Sequence, residues 1–214
     1  PDPERRRALA ELCHIPAERQ FESWDQLLAQ PKLADVAINT LMDRLHAPAA
    51  IPAFDQGYHM LLEKPMAPTL DDCVRIDAAR QRNRRIASVC HSMRYHAVYA
   101  ELKRLVAGGA VGQMISLDHI EAVGTVHQSH SFVRGNWGNE SRSASMLLAK
   151  SCHDIDLIAW LVDRPCLRVS SFGALTYFCS RHAPPGAPTR CTDGCPAEAR
   201  CPYSALRLYL RPHP

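Results

Sequence analysis

The sequence contains no apolar run approaching the roughly 18–20 residues that a membrane-spanning helix needs. A helical membrane protein is therefore not expected. Strong charge of one sign is also missing. Its 25 basic and 22 acidic residues leave a net charge of +3, too balanced for a dedicated polyanion binder, so no nucleic-acid partner is expected. No internal repeat and no low-complexity tract occurs. Glycine is sparse, and its ten copies include no G-x-G-x-x-G between a strand and a helix, the turn that holds dinucleotide phosphates. The nearest cluster, Gly108-Gly109-Ala110-Val111-Gly112, follows a helical stretch and so has the wrong context. Either the fold binds no dinucleotide or its first βαβ unit lies outside this sequence. Pro1-Asp2-Pro3-Glu4 reads as the mouth of a helix and not as a secretory leader. With Arg211-Pro212-His213-Pro214 at the other end, the expectation is a piece of a longer chain.

What is present is globular. The 214 residues are 46% hydrophobic and 22% charged, which excludes wholesale disorder and suits one large domain or two small ones. Nine cysteines are an odd total. Cys13, Cys73, Cys90, Cys152, Cys166 and Cys179 are scattered, whereas Cys191, Cys195 and Cys201 crowd together. A secreted disulfide framework fits this poorly, and a reducing cytoplasm fits it better.

Local signals then set a rhythm. Asp2 and Pro3 predict a helix to about Cys13, and Ser23 caps a short one over 24–29. Asp35-Val36-Ala37-Ile38-Asn39 reads as a buried strand, followed by a helix over about 45–56 that stops at Gly57. Tyr58 to Leu62 is a second strand. Thr69 with Asp72 opens a helix through Arg84, and Ile86 to Cys90 is a third strand. Strands alternating with helices at this spacing predict a parallel sheet. Beyond residue 90 the pattern changes. A helix over 96–107, a strand over 114–123 and a polar loop over 124–143 are expected. An apolar helix over 144–162 and a strand over 167–177 follow, then a Pro-, Gly- and Cys-rich loop over 179–202.

Three segments carry chemistry. Glu63-Lys64-Pro65 stands at the carboxyl end of a predicted parallel strand, where open α/β sheets bind ligands. An ammonium there can hydrogen-bond to or protonate a reacting oxygen, or it is simply a solvated strand-end lysine. Lys150, His153 and Asp154 fall three or four residues apart in an otherwise apolar helix. Such a cluster faces a polar cleft, with His153 doing acid–base work, or His153 is a half-buried ring partnered by Asp156. The Arg80, Arg82, Arg84, Arg85 run is a solvated helix end.

The succession resembles the Gfo/Idh/MocA family of NAD(P)-dependent oxidoreductases over about residues 1–176. It comprises Asp35-Val36-Ala37-Ile38-Asn39-Thr40 with His46, Tyr58-His59-Met60-Leu61-Leu62-Glu63-Lys64-Pro65, and His91-Ser92-Met93-Arg94-Tyr95. Gly109-Ala110-Val111-Gly112-Gln113 and His153-Asp154-Ile155-Asp156 complete it. The E-K-P strand end together with the later H-D-I-D helix is its specific part. The resemblance implies a partial Rossmann-type parallel sheet over 1–92, then part of an α+β domain with an open mixed sheet over 93–214. It implies Lys64 beside nicotinamide and substrate, His153 as acid/base, and Thr40, His46, Glu63 and Arg94 near the cofactor, NAD or NADP. It also places the glycine fingerprint before Pro1. Two departures stand out. Ala149 occupies the place of the family's frequent Asp, four residues before His153, with Lys150 next to it, and Leu41 follows Thr40 where the family has Pro. Lys150 is read as a catalytic neighbour that lowers the pKa of His153, as a nearby cation does.

The implied function is hydride transfer between NAD(P) and a sugar, cyclitol or related polyol derivative, by an oligomer of identical chains acting on a small molecule. A fragment without the phosphate-binding turn is expected to be inactive alone. The rival readings are an NAD-dependent glycoside hydrolase of the same fold and a non-catalytic binding scaffold. Cys191, Cys195 and Cys201, with His182 or Cys179, can supply four ligands to a structural zinc. Otherwise the thiols stay free or pair as a disulfide, and Tyr203, Leu206 and Leu208 dock the loop.

Overall fold

Asp2 caps the first helix as its position predicts, its carboxylate accepting from the Glu4 and Arg5 N–H groups. The computed structural model describes residues 2–210. Pro1 and the Arg211-Pro212-His213-Pro214 end, on which the truncation reading rests, lie outside the described residues. The chain divides into two units, residues 1–91 and 92–214.

The first unit runs α1 (Pro3–Leu12), α2 (Trp24–Leu28), β1 (Val36–Asn39), α3 (His46–Asp55), β2 (His59–Leu62), α4 (Leu70–Arg82) and β3 (Ala87–Val89). Ser23 and Thr69 cap α2 and α4 through their side-chain oxygens. The strands form a parallel sheet in the order β1-β2-β3, with Val36 opposite His59 and Met60 opposite Ala87. Met60 and Leu62 of β2 point to one face and join Ala50, Phe54, Ile76 and Ala79 of α3 and α4 in the core. Fully burying a side chain such as Phe54, Leu62 or Ile76 contributes about 1.5–3 kcal/mol. Alternation along the strands sends Val36, Ile38 and Leu61 to the opposite face, where Ile38 is 67% exposed. Among the described residues of the first unit, helices cover one face of the sheet and the apolar side chains of β1 on the other face stay open, where the apolar run predicted burial on both.

The second unit starts with α5 (Ala97–Ala107), capped by His96 and stopped at Gly108. The polar stretch expected as loop instead carries α6 (Thr125–His127) and a π-helical segment, Gln128–Arg134. The glycine signal marks where these end. A Cβ on Gly135 would lie 2.6 Å from the His130 carbonyl oxygen, so only glycine lets the chain turn back there. The apolar helix over 144–162 is broken in two, α7 (Met146–Ala149) and α8 (Cys152–Val162), with Lys150 and Ser151 between them. Asp163 caps α8 in a left-handed conformation, and among the described residues after it only short turns and α9 (Ala205–Tyr209) follow.

The strands expected over 114–123 and 167–177 do not form. Among the described residues the backbone of 113–123 and 164–176 makes no backbone–backbone hydrogen bond. A strand exists only as one side of a ladder, and the apolar sequence alone does not provide the other side. Both segments hold their apolar side chains in the open, Ile120 at 90% and Phe172 at 97% exposure. No described helix is long and apolar enough to cross a membrane.

Candidate active site

In the first unit backbone bonds join the carboxyl ends of β1, β2 and β3. The Glu63 N–H donates to the Asn39 carbonyl oxygen (2.9 Å), and the Cys90 N–H donates to that of Leu62 (2.8 Å). Asn39 itself is buried. Its amide donates to the His46 carbonyl oxygen (3.3 Å), and its Oδ1 accepts from the Leu41 N–H (3.2 Å). Glu63 and Lys64 follow β2, both half-buried, and the Lys64–Pro65 peptide is cis. The Lys64 N–H donates to Glu63 Oε2 (3.0 Å), so the carboxylate folds back on the turn that presents the ammonium. Burial, and then the nearby Glu63 carboxylate, push the Cys90 thiol up, which keeps it a neutral neighbour.

His46 sits in the middle of this arrangement. It is fully buried at the start of α3, with Nδ1 3.0 Å from the Pro65 carbonyl oxygen and 3.3 Å from that of Met66. Its Nε2 lies 2.9 Å from the Leu41 carbonyl oxygen. Both nitrogens are spent on the main chain. The ring therefore clamps the turn after β1 to the turn after β2, and its bearing on any cofactor is indirect. Thr40 is exposed beside it.

In the second unit the break at Lys150 changes the expected helix face. Its ammonium lies 2.9 Å from Glu121 Oε1, which neutralises the cation expected to act on His153. Asp154, in the first turn of α8, is 9% exposed and lies 2.8 Å from His119 Nε2 through Oδ1. Asp156 takes the Arg94 guanidinium in a two-pronged contact, Nε to Oδ2 at 2.7 Å and Nη2 to Oδ1 at 2.6 Å. Those charge-assisted bonds raise the Arg94 pKa further. The Trp160 ring lies 5.6 Å from the guanidinium carbon. Arg94, expected near a cofactor, thus has its fork committed to a side chain of its own unit. His153 is half-buried between Lys150 and Asp154 in sequence.

His119 and Glu121 were not singled out by sequence reasoning. The signal was there: in the strand expected over 114–123, residues two apart share a side. Lys64, Glu63, Thr40 and His46 are gathered in the first unit, and Lys150, His153 and Arg94 belong to the second.

The cysteine loop corrects the zinc expectation. Cys191, Cys195 and Cys201 are free and half-buried, and they do not converge into a metal-binding group among the described residues. Aromatic packing orders the loop instead. Tyr203 lies against Phe178 and Tyr177, ring centroids 4.9 Å and 5.7 Å away. The docking alternative is therefore met in part, against aromatic rings and not against a sheet.

Residues 1–91 match the model of an oxidoreductase family with an NAD-binding Rossmann fold. The chain is 26% identical over 181 residues to a putative oxidoreductase, YteT, of Bacillus subtilis, covering 83% of this chain and 42% of that protein. It is 28% identical over 137 residues to an inositol 2-dehydrogenase of Salmonella typhimurium, covering 64% of this chain and 38% of the relative. The crystal structure of an aldose-aldose oxidoreductase from Caulobacter crescentus complexed with glycerol superposes with a TM-score of 0.62 at 24% identity. That match covers 76% of this chain and 48% of the other, and it shows the fold. The chain thus spans about two fifths of the length of these curated relatives.

Proposed function

We infer that the whole protein, whose residues 1–91 belong to the Gfo/Idh/MocA oxidoreductase family, moves a hydride between NAD(P) and a carbon of a sugar, cyclitol or related polyol derivative. The observation that carries this reading is the Glu63-Lys64-Pro65 turn. It stands at the carboxyl end of a parallel strand, inside the segment the family model matches, with a buried histidine holding it. The crevice outside strand carboxyl ends is where open α/β sheets bind nucleotides. The half-buried Glu63 and Lys64 and the exposed Thr40 offer polar groups that suit the nicotinamide end of a dinucleotide.

When bound, NAD(P) supplies the carbon that accepts or returns the hydride. In the oxidation direction Lys64 donates a hydrogen bond to the substrate hydroxyl oxygen and stabilises charge as it becomes a carbonyl. His153 accepts the hydroxyl proton through its imidazole. Glu63 keeps Lys64 oriented through the main-chain bond to its carboxylate. Lys150, paired with Glu121, places a polar, charge-balanced group beside the His153 helix turn.

The polyol substrate class rests on the relatives, which include an inositol 2-dehydrogenase. An oligomer of identical chains belongs to the same reading, supported by the open apolar side chains of the 113–123 and 164–176 segments. The odd total of nine cysteines supports a reducing, cytoplasmic setting. The test is a panel of polyols and sugars offered to the whole protein with NAD or NADP, reading reduced cofactor. Reduction that depends on one polyol class supports the assignment. A complete lack of it across the panel with both cofactors removes it.

A further inference from the structure

We propose that His119, Glu121 and Asp154 form a binding site for one divalent transition-metal ion, of the class that takes imidazole and carboxylate ligands together. The inference is independent of the dehydrogenase reading, because the site lies wholly in the second unit and needs neither cofactor nor substrate.

The chain brings these residues together from two places. His119 and Glu121 stand two residues apart in the 113–123 segment, and Asp154 comes from the first turn of α8. Their ligand atoms all lie within 4.8 Å of one another. Three protein ligands, one nitrogen and two oxygens, leave a transition ion with open positions for water or a substrate oxygen.

Asp154 provides the second, independent observation. The residue is buried, and only one of its oxygens is used. Oδ1 meets His119 Nε2, whereas Oδ2 is buried with no hydrogen-bond partner among the described residues. A buried carboxylate oxygen left bare is costly, and a structural His–Asp pair gives no reason for it. Metal coordination at about 2.0–2.2 Å supplies the missing contact.

Charge points the same way. Glu121 and Asp154 carry two negative charges, and among the described residues the one lysine ion-paired with them is Lys150, 2.9 Å from Glu121 Oε1. One ammonium leaves the carboxylate pair under-compensated. A divalent ion takes over the role of Lys150 at Glu121 and releases the ammonium. Lys150 is therefore a built-in competitor for the site. A plain pair of ion pairs does not predict that removing it would tighten metal binding.

The test is a titration of the purified, chelator-treated protein with Mn2+, followed by electron paramagnetic resonance of the free ion. Mn2+ is chosen because it favours oxygen and imidazole ligands over thiolates, which keeps the nine cysteines out of the readout. The expected result is one saturable site per chain. Affinity should fall about tenfold or more in Asp154→Asn and in Glu121→Gln, and rise in Lys150→Met. Glu121 is the most exposed of the three ligands, so Glu121→Gln gives a folded test even if Asp154→Asn does not fold. Circular dichroism of each variant checks this. No saturable Mn2+ binding, or binding of equal affinity in Glu121→Gln and the unaltered protein, overturns the proposal.

Discussion

His46 Nδ1 lies 3.0 Å from the Pro65 carbonyl oxygen, so a fully buried ring at the start of α3 fixes the turn that carries Lys64. The same ring reaches the Leu41 carbonyl oxygen through Nε2. One side chain therefore sets the spacing between two strand ends.

Replacing His46 by Ala removes both contacts and leaves a void at a completely buried position. The expected cost is about 2–4 kcal/mol of stability. A urea titration should show it as a lower midpoint with an unchanged slope. A midpoint equal to that of the unaltered protein would mean that the clamp contributes nothing.

Asp55 makes stability depend on pH at the low end. Slight desolvation raises its pKa, but the Asn83 amide and the Arg82 guanidinium outweigh it and hold the carboxyl below its usual value. The Arg82 contacts are 2.7–3.1 Å long and tie the end of α3 to that of α4. A carboxyl lowered in the folded state contributes fully above the ordinary value of about 3.9, and the contribution is lost as pH falls through the folded value. Both partners are about half exposed, so solvent screening limits the contribution to below about 1 kcal/mol. Asp55→Asn should lower stability near neutrality by less than about 1 kcal/mol and leave it nearly unchanged at low pH, which flattens this acid limb. An identical acid limb in the variant would show that other groups produce it.

Arg94 and Asp156 are a more sheltered pair. The Asp156 side chain is only 12% exposed, and it receives both prongs of the guanidinium. Arg94→Ala leaves that carboxylate without its cation and is expected to cost about 1.5–3 kcal/mol. Arg94→Lys should recover only part, because an ammonium cannot make the two-pronged contact. Thermal unfolding of the three proteins orders them. Equal midpoints for Arg94→Ala and the unaltered chain would contradict the pairing.

Much of this was readable in the sequence, for a definite reason. The Ser23 and Thr69 caps bond within three residues, and the β1, β2 and β3 runs carry their own apolar pattern. What was not readable depends on partners distant in sequence. Lys150 leaves the helix and meets Glu121, 29 residues earlier, while His119 meets Asp154, 35 residues later. The 114–123 and 167–177 segments have strand composition, yet a ladder is a property of two segments and not of one. The sequence singled out His46, but not its burial, because the carbonyl groups of Leu41, Pro65 and Met66 around the ring are set by the turns.

Kinetics separate the roles proposed for Lys64 and His153. Each Ala substitution in the whole protein should lower kcat by about 10²–10⁴-fold, with a far smaller change in cofactor affinity. Cofactor binding by fluorescence, measured beside turnover, distinguishes the two effects. Near-normal turnover in both variants would remove the assigned chemistry.

The most direct measurement follows the hydride itself. The whole protein is incubated with NAD and a polyol carrying deuterium on its carbinol carbon, and the reduced cofactor is examined by mass spectrometry. The account predicts deuterium on the nicotinamide ring, in equal amount to the carbonyl product formed, and loss of that transfer in Lys64→Ala. Glycoside cleavage with no accumulation of reduced cofactor, or unlabelled cofactor beside oxidised polyol, would contradict it.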